Sequence, residues 1–367
     1  MKKLLSVLLC VALTLSLVAC STSTSTPAPS QSTEKDAPLR VANLINGTLG
    51  DLSFFDSAEN GMRLLKAELG DAFEYRTIEM SYVETSWEPH LIDASEGDYD
   101  IIICGTWQMQ EILERFADQY PEKTYILYDA SVQWSLGDYS NVHCIEYMQN
   151  EGSYLAGVLA ANLTNSGRVA FLGGMDNPVI NDFLVGYVQG VIDTDPTLKV
   201  DVAYVGNFND ATRGADISAV QFAGGADVGF ACAGQAGLGM FDAALSAGGV
   251  TMIGVDSDQA MIFKGQGKVD LAQMTATSML KRVDMSLVNA IHAYLDGTLE
   301  IGKSAQVGLD EQCVGLAVNE YYTSTVPADV RAQVDDAAAL IQSGEIQVAT
   351  SFGMSQADLE AFLSQAR

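Results

Sequence analysis

"GRVAFLGGMDNPVINDFLVGYVQGVI", residues 167–192, joins a short apolar run to a longer segment in which apolar residues recur at helical spacing. The run 168–174 is almost uninterrupted by polar residues and ends in glycine, which is typical of a parallel strand covered on both faces. The segment 181–192 has a helical period and a glycine near its end. The stretch therefore predicts a buried strand followed by a helix.

The same alternation continues along most of the chain. Helical periods also occur at 151–165 and 240–249, between apolar runs of strand length. Regular alternation of strands and helices favours a doubly wound α/β fold. The predicted strands are 39–46, 75–82, 100–106, 124–130, 141–148, 168–174, 199–206, 227–233 and 250–258.

The order of elements changes after Asp258. A strand at 269–278 is predicted to lead into a long helix at 279–297, followed by a β-like stretch near 305–318 and a final helix near 327–343. The roughly 330 residues after the N-terminal region exceed one typical domain. Because 48% of the chain is hydrophobic, a sizeable core is expected. We therefore predict two lobes.

The first 20 residues, Met1 to Cys20, have the pattern of a signal peptide. Lys2 and Lys3 precede an uncharged segment that is too short to span a membrane comfortably. The sequence "LVAC" that ends it resembles a bacterial lipobox and predicts lipidation of Cys20, with an ordinary secreted protein as the alternative. Residues 21–37, rich in Ser, Thr and Pro, are predicted to form a flexible linker.

The chain is strongly acidic, with 47 acidic and 19 basic residues and a net charge of −28. Nucleic acid is a poor partner for such a chain, because binding it requires a basic surface that neutralises phosphates. The charge is expected to serve solubility at a cell surface.

Cysteines and histidines do not predict a metal or catalytic centre. Cys104, Cys144, Cys232 and Cys313 are far apart and form no CxxC pair, so we expect buried free thiols. The three histidines are also far apart and accompany no catalytic signature. We therefore predict no metal, no cofactor and no catalytic residue.

Two glycine-rich motifs resemble phosphate-binding loops. "GTLEIGKS", 297–304, matches the P-loop pattern, but it follows a predicted helix, whereas a P-loop follows a strand and opens a helix. "AGQAGLG", 233–239, lies between a strand and a helix but lacks the order of the dinucleotide fingerprint. It serves either tight packing of the helix on the strand or contact of the helix N-terminus with a polar ligand atom.

Polar or aromatic residues follow six of the predicted strands, at the edge where open parallel sheets bind ligands. Asp256 and Asp258 form one such pair. We favour a single carboxylate that accepts hydrogen bonds from ligand hydroxyls over an acid–base pair or a metal site. Together the strand ends predict a cleft lined from two lobes; they are 51–55, 105–107, 129, 208–210, 234–237 and 256–258.

Seven blocks, in chain order from Val41 to Asp284, resemble those of one family. They are "DLSFFDSAENGM", "EGSYLAGVLAA", "GRVAFLGGMDNPVINDFLVGYVQGV", "YVGNFND", "GADVGFACAGQAGLGMFDAA", "IGVDSDQ" and "TSMLKRVD". On these blocks the chain is identified as a member of the basic membrane protein (BMP) family of ABC-transporter substrate-binding lipoproteins, which includes PnrA-like purine nucleoside receptors.

The resemblance implies a type I periplasmic-binding-protein fold, with two doubly wound parallel-sheet lobes joined by a hinge. Lobe 1 would comprise about 38–146 plus 280–310, and lobe 2 about 147–279 plus 311–367. A small-molecule ligand and an ABC permease are the implied partners. The implied location is the extracytoplasmic face of the cell membrane, with Cys20 as the lipid anchor.

The resemblance also implies roles for particular residues. Phe54, with Phe208 from the other lobe, would stack on a nucleoside base. Asp129 and Asp256 would make polar ligand contacts, completed by the backbone of Gly234 and the ammonium of Lys281. Further candidate ligand-binding residues are Asn46, Ser53, Phe55, Trp107 and Phe183.

Two residues depart from the family pattern. Phe55 stands where members commonly have asparagine, and Asn46 stands near where they tend to have aspartate. Both changes remove groups that a purine would use, so the candidate ligands are another nucleoside, a modified base or a different small ring compound. We predict nucleoside binding for ABC import; the alternatives are a secreted enzyme resembling a nucleoside hydrolase and a ligand-sensing lipoprotein without a transport role.

Overall fold

The computed structural model describes residues 37–366, of which 38 onward form a compact unit. The predicted signal peptide, most of the linker and Cys20 lie outside the described residues. The strands are β1 (Leu39–Ile45), β2 (Phe73–Glu79), β3 (Ile101–Gly105), β4 (Thr124–Tyr128), β5 (Val142–Tyr147), β6 (Arg168–Gly173), β7 (Lys199–Tyr204), β8 (Val228–Cys232), β9 (Thr251–Asp256), β10 (Thr275–Lys281), β11 (Lys303–Val307) and β12 (Val314–Leu316).

Helices alternate with these strands through most of the chain. They are α1 (Phe54–Leu69), α2 (Trp87–Glu96), α3 (Trp107–Phe116), α4 (Gln149–Leu163), α5 (Pro178–Thr194), α6 (Ala211–Ala223), α7 (Gly234–Ala247), α8 (Gln259–Gly265), α9 (Val269–Met274), α10 (Val283–Leu295), α11 (Glu320–Thr325), α12 (Ala328–Gln342) and α13 (Gln356–Leu363). Among the described residues no helix is long and apolar enough to cross a membrane.

The strands form two six-stranded sheets. The first has the order β11-β5-β4-β3-β1-β2 and the second β12-β10-β9-β8-β6-β7. Neighbouring strands are parallel except β12, which runs antiparallel to β10. The predicted doubly wound α/β fold is confirmed, and each of the first nine predicted strands is present with bounds shifted by a few residues.

The prediction of a strand at 269–278 was wrong in its first half. Val269–Met274 is the short helix α9, and the strand β10 runs from Thr275 to Lys281. β10 pairs with β9 on one side and β12 on the other, so its β-branched and apolar residues are buried. The long helix therefore begins at Val283, and Lys281 lies at the end of a strand instead of within a helix.

The chain crosses between the two sheets three times, after β5, after β10 and after β11. The amide of Met148 donates to the carbonyl of Val307 at 2.9 Å, and the amide of Arg282 donates to the carbonyl of Cys313 at 2.7 Å. These bonds join the first crossing to the third and the second to the third. The crossings lie together, which is the arrangement of a hinge.

Helix α5, from the stretch that opened the sequence analysis, begins and packs as its residues dictate. The side chain of Asn177 accepts hydrogen bonds from the amides of Val179 and Ile180, and Pro178 occupies the first helical position. A Cβ on Gly186 would lie 2.1 Å from the carbonyl oxygen of Asn150 in α4, so only glycine permits this approach. The hydrogen bonds to Asn177 and the close contact with α4 thereby fix the position of α5, whose first residues follow the end of β6.

Candidate functional site

A cavity of about 340 Å³ lies at the carboxyl ends of both sheets. Its walls come from the segments that follow β1, β2, β3 and β4 in the first sheet and β6, β7, β8 and β9 in the second. The sequence-predicted residues that line it are Asn46, Asp51, Phe54, Phe55, Trp107, Asp129, Phe183, Phe208, Gly234, Asp256 and Lys281. The predicted cleft at the strand ends is thus present in the fold.

Asp51 organises the loop that follows β1. Its carboxylate accepts hydrogen bonds from the amides of Ser53, Phe55 and Asp56 at 2.8–3.1 Å, which are among the otherwise unpaired donors at the start of α1. Burial raises its pKa to about 7, against the opposing effect of these bonds. Asp51 is therefore bound to its own loop, and it places Phe54 at the first position of α1.

We expect Asp51→Ala to lower the free energy of unfolding by about 2 kcal/mol, because buried amides at the helix start lose their acceptor. Urea unfolding followed by circular dichroism measures the change. Asp51→Asn is the control, since its amide oxygen still accepts a hydrogen bond and should retain part of the stability. Equal stability of the alanine variant and the unaltered protein would contradict this role for Asp51.

The loop after β1 also contacts the loop after β9 directly. The Ser53 hydroxyl donates to the carboxylate of Asp256, and the Ser257 hydroxyl donates to the carbonyl of Ser53 at 2.9 Å. The Gln259 side chain donates to the carbonyl of Leu52 at 3.2 Å. Ser53 therefore bridges the two sheets beside the cavity.

Phe54 and Phe55 have different environments. The Phe54 ring is half-buried and lies 5.4 Å from the Tyr128 ring centre. The Phe55 ring is buried against Gly47, where a Cβ would lie 2.4 Å from it, and meets Phe54 edge-on at 5.3 Å. Phe55 therefore supports Phe54 from behind, and Phe54 presents the more accessible ring.

The second sheet contributes two further rings. Phe208 follows β7 and packs over Gly174, where a Cβ would lie 2.2 Å from its ring. Its carbonyl accepts a hydrogen bond from the amide of Ala236 in the first turn of α7. Phe183, on α5, is buried. Aromatic walls thus reach the cavity from both sheets.

Lys281 is a buried cation among carboxylates, with 1% of its side chain exposed. Its ammonium forms an ion pair with Asp129 and lies 5.1 Å from the Phe183 ring centre and 5.4 Å from that of Phe54. Burial raises the pKa of Asp256 to about 6, although the nearby Lys281 charge and the Ser53 hydrogen bond oppose the rise. Burial also raises the pKa of Asp129, against the same ammonium.

The backbone at three cavity residues adopts a left-handed conformation, with φ of 64° at Asp129 and at Asp256 and 71° at Thr106. Such angles are uncommon for residues other than glycine and cluster at ligand sites. They occur where β4, β9 and β3 end, at the edge of the sheets that faces the cavity.

The glycine-rich motif 233–239 packs tightly, as one of the two sequence-based interpretations predicted, and its first glycine lies at the cavity. Gly234 opens α7 with φ of 55° and lines the cavity. Within the helix, a Cβ on Gly239 would lie 1.9 Å from the carbonyl oxygen of Ala211, so that glycine permits close packing on α6. The other motif, 297–304, follows α10 and runs into β11, which is the wrong context for a P-loop.

Trp107 and Asp258 lie at the margin of the site. Trp107 begins α3 and has 40% of its surface exposed while lining the cavity. Asp258 lies outside the cavity lining; it caps α8 by accepting from the amide of Met261 and binds the side chain of Asn319. Of the Asp256 and Asp258 pair, only Asp256 faces the site.

Several residues that line the cavity were missed by the sequence analysis. The loops after β6 and β7 contribute Asn177 and Asn207, and the rule that polar residues at strand ends line a site would have found them. The segment after β2 contributes Tyr82 and Glu84, and Gln108 comes from α3, whose position only the fold shows. The other lining residues that were missed are Trp87, Met175, Val179, Ile180, Gly206, Cys232 and Val255, whereas Thr106, Asn209 and Gln235 lie within the predicted strand ends 105–107, 208–210 and 234–237.

The prediction of buried free thiols is confirmed for Cys104, Cys144, Cys232 and Cys313. Burial raises the pKa of each thiol, as expected for cysteines that pack as small apolar residues. No group of three or more metal-ligating side chains occurs among residues 37–366.

Two mostly parallel sheets, joined by three adjacent crossings and sharing a cavity at their carboxyl ends, define a ligand-binding protein of the periplasmic-binding-protein fold. The chain belongs to the Bmp family of PnrA-like ABC transporter substrate-binding proteins, whose profile matches residues 39–350. This confirms the family predicted from the sequence blocks.

Three comparisons illustrate the relationship. The chain is 30% identical over 317 residues to the CD4+ T-cell-stimulating antigen of Listeria monocytogenes, covering 82% of this chain and 85% of that protein. It is 27% identical to the ABC transporter nucleoside-binding protein BmpA of Lactococcus lactis, with 83% and 88% coverage. A solute-binding protein structure from Aeropyrum pernix superposes with a TM-score of 0.76 at 27% identity, covering 90% of this chain and 99% of the other.

Proposed function

We propose that this substrate-binding protein takes a nucleoside into the cavity between its two sheets. The observation that carries the proposal is one cavity lined by Phe54 after a strand of the first sheet, by Phe208 after a strand of the second, and by Asp256 and Lys281, whose ammonium lies near the Phe54 ring. A nucleoside has the matching halves, a flat base and a sugar with a vicinal diol.

The chemistry of each half fits the residues. Phe54 and Phe208 would cover the faces of the base, since stacking on aromatic rings satisfies a flat apolar surface. The ionised carboxylate of Asp256 would accept hydrogen bonds from sugar hydroxyls, with Lys281 as a donor and the backbone of Gly234 close by. The volume of about 340 Å³ lies within the usual range for small-molecule sites.

The relative named as a nucleoside-binding protein supports this ligand class, because it matches this chain along most of its length. We further propose that the protein is a lipoprotein anchored through Cys20 on the extracytoplasmic face and delivers its ligand to an ABC permease. The lobes would be 38–146 with 280–310 and 147–279 with 311–367; the membership of the two sheets supports this division.

A thermal-shift screen of the purified protein against nucleosides, free bases, sugars and amino acids tests the ligand class. We expect nucleosides to raise the melting temperature, because a ligand that binds only the native state stabilises it. A rise with a sugar or an amino acid and none with any nucleoside would overturn the nucleoside proposal. Chromatography of the same mixtures should show no free base, whereas its release would identify an enzyme.

We expect Phe54→Ala to weaken nucleoside binding by about 1–3 kcal/mol, the usual contribution of one aromatic ring stacked on a base. Isothermal titration calorimetry measures the affinity. Phe54→Leu is the matched comparison, since it keeps an apolar side chain but removes the ring and should lose most of the same free energy. An alanine variant with unchanged affinity would reduce Phe54 to a packing residue.

A further inference from the structure

The loop that leads from β1 into α1 is fixed by carboxylates of its own sheet. Asp56, in the first turn of α1, accepts hydrogen bonds from the amides of Gly50 at 2.8 Å and Leu52 at 3.0 Å. Asp51 accepts one from the amide of Ser53 at 3.1 Å. Leu52 has a left-handed backbone, with φ of 54°. Because these bonds determine the path of the backbone, the carbonyls of the loop point in fixed directions.

Two of those carbonyls are bound by the segment that follows β9 in the second sheet. The Ser257 hydroxyl donates to the carbonyl of Ser53 at 2.9 Å. The side-chain amide of Gln259 donates to the carbonyl of Leu52 at 3.2 Å. The Leu52 side chain also packs against the apolar cluster formed by the second sheet and its helices. The contact therefore combines hydrogen bonds with apolar packing between the two sheets.

The second sheet fixes its own side of the contact. The Oε1 atom of Gln259 accepts a hydrogen bond from the amide of Val255 at 3.1 Å, and the backbone amide of Gln259 donates to Ser278 Oγ at 3.1 Å. Only 1% of Gln259 is exposed. Since Val255 uses the acceptor end of the side chain, the donor end faces Leu52. With both sides fixed, the contact is complete at one relative position of the two sheets.

The contact lies beside the cavity and away from the first crossing between the sheets. None of its four residues belongs to the cavity lining, although Asp256, to which the Ser53 hydroxyl donates, does. In the first sheet, β4 and β3 separate β1 from β5, after which the chain first crosses. Rotation of the sheets about the crossings would therefore pull the two sides of the contact apart.

We propose that the four contact residues form a latch that holds the two sheets closed around the cavity and so sets the affinity for the ligand without touching it; they are Leu52, Ser53, Ser257 and Gln259. When a ligand requires the closed form, its apparent affinity is proportional to the fraction of the protein that is closed. The latch should therefore raise the affinity for every ligand by the same factor. This inference goes beyond the proposed function, because it does not depend on the ligand being a nucleoside.

Calorimetric titration of the purified protein with adenosine, inosine and uridine tests the latch. Ser257→Ala removes one hydrogen bond between the sheets, and Leu52→Ala removes the apolar contact. We expect each variant to bind all three nucleosides about threefold to tenfold more weakly, with unchanged ratios among the three affinities. Variants of residues that contact the ligand would change those ratios.

Ser246→Ala is the matched control for Ser257→Ala. The Ser246 hydroxyl also donates to a backbone carbonyl at 2.9 Å, that of Asp242, but both residues belong to α7. The control therefore loses a bond of the same kind within one helix instead of between the sheets. Its affinity for each nucleoside should equal that of the unaltered protein.

Small-angle X-ray scattering of the free protein tests the latch without a ligand. Loss of the latch should raise the radius of gyration, because the open form becomes more populated. A free protein that is mostly closed shows this loss in the scattering, and one that is mostly open shows it in the affinity. At least one of the two measurements must therefore change.

The outcomes separate the latch from the nucleoside proposal. Unchanged affinities together with an unchanged radius of gyration in both Ser257→Ala and Leu52→Ala overturn the latch, as do altered ratios among the nucleosides in both variants. If none of the three nucleosides binds and a sugar or amino acid does, the nucleoside proposal fails. The scattering then decides on the latch, since a larger radius in the variants supports it and an equal radius overturns it.

Discussion

Lys281→Met is expected to lower the free energy of unfolding at pH 7 by about 3–5 kcal/mol, because removal of one partner leaves buried charge without compensation. Lys281 has 1% of its side chain exposed and pairs with Asp129, which has 10% exposed. The charge of Lys281 also favours the ionised form of Asp256, because it opposes the rise in the pKa of that carboxyl group. Methionine keeps the length of the side chain, so the lost charge dominates the effect.

The loss of stability in Lys281→Met should depend on pH. Burial raises the pKa of Asp129 and Asp256 above the ordinary value of 3.8, so the folded state holds protons more tightly than the unfolded state. A carboxyl group whose pKa is higher in the folded than in the unfolded state stabilises the fold at pH values below the pKa of the unfolded state. This stabilisation is lost as the pH rises through the pKa of the folded state. Without Lys281 both pKa values rise further, and the variant should therefore recover stability between pH 7 and pH 5.

Urea unfolding at both pH values measures these effects. Lys264→Met is the matched control, because Lys264 forms an ion pair with Glu320 with nearly half of its side chain exposed. Exposed ion pairs contribute about 0–1 kcal/mol, so the free energy of unfolding of this variant should stay close to that of the unaltered protein. If Lys281→Met costs no more than Lys264→Met, the buried network is not a source of stability.

The fold was largely predictable because parallel strands covered on both faces leave long apolar runs in the sequence. Segment 269–278 was misread because apolar and β-branched residues also occupy the short helix α9, which has no distinct period over six residues. Helix α13 was missed, although Ser355 and Asp358 form a capping box, which is a sequence signature of a helix start.

The site was predictable to the level of strand ends and no further. The sequence places four acids, Asp51, Asp129, Asp256 and Asp258, at such strand ends. The fold shows that they have two different environments. Asp51 and Asp258 accept backbone hydrogen bonds at helix starts, whereas Asp129 and Asp256 lie beside Lys281. Their partners come from segments distant in the chain, which spacing alone cannot reveal.

The affinity for a nucleoside should depend on the charge of Asp256. Its pKa of about 6 means that the carboxylate is ionised at pH 7 and mostly protonated at pH 5. Because an ionised acceptor binds hydroxyl donors more strongly than a neutral one, we expect affinity to fall up to about tenfold between these pH values. Asp256→Asn should weaken binding at pH 7 by about 2–3 kcal/mol and remove this pH dependence.

Calorimetric titration at pH 7 and pH 5 measures both effects, and Asp258→Asn is the control two residues along the chain. Asp258 caps α8 and binds Asn319 outside the cavity lining, so its variant should keep both the affinity and the pH dependence. Substitution of Ser53 by alanine removes the hydroxyl that donates to Asp256, which should raise the pKa of that carboxylate and move the fall in affinity to higher pH. A pH dependence that survives in Asp256→Asn would assign the titration to another group and leave Asp256 without a direct role in binding the sugar.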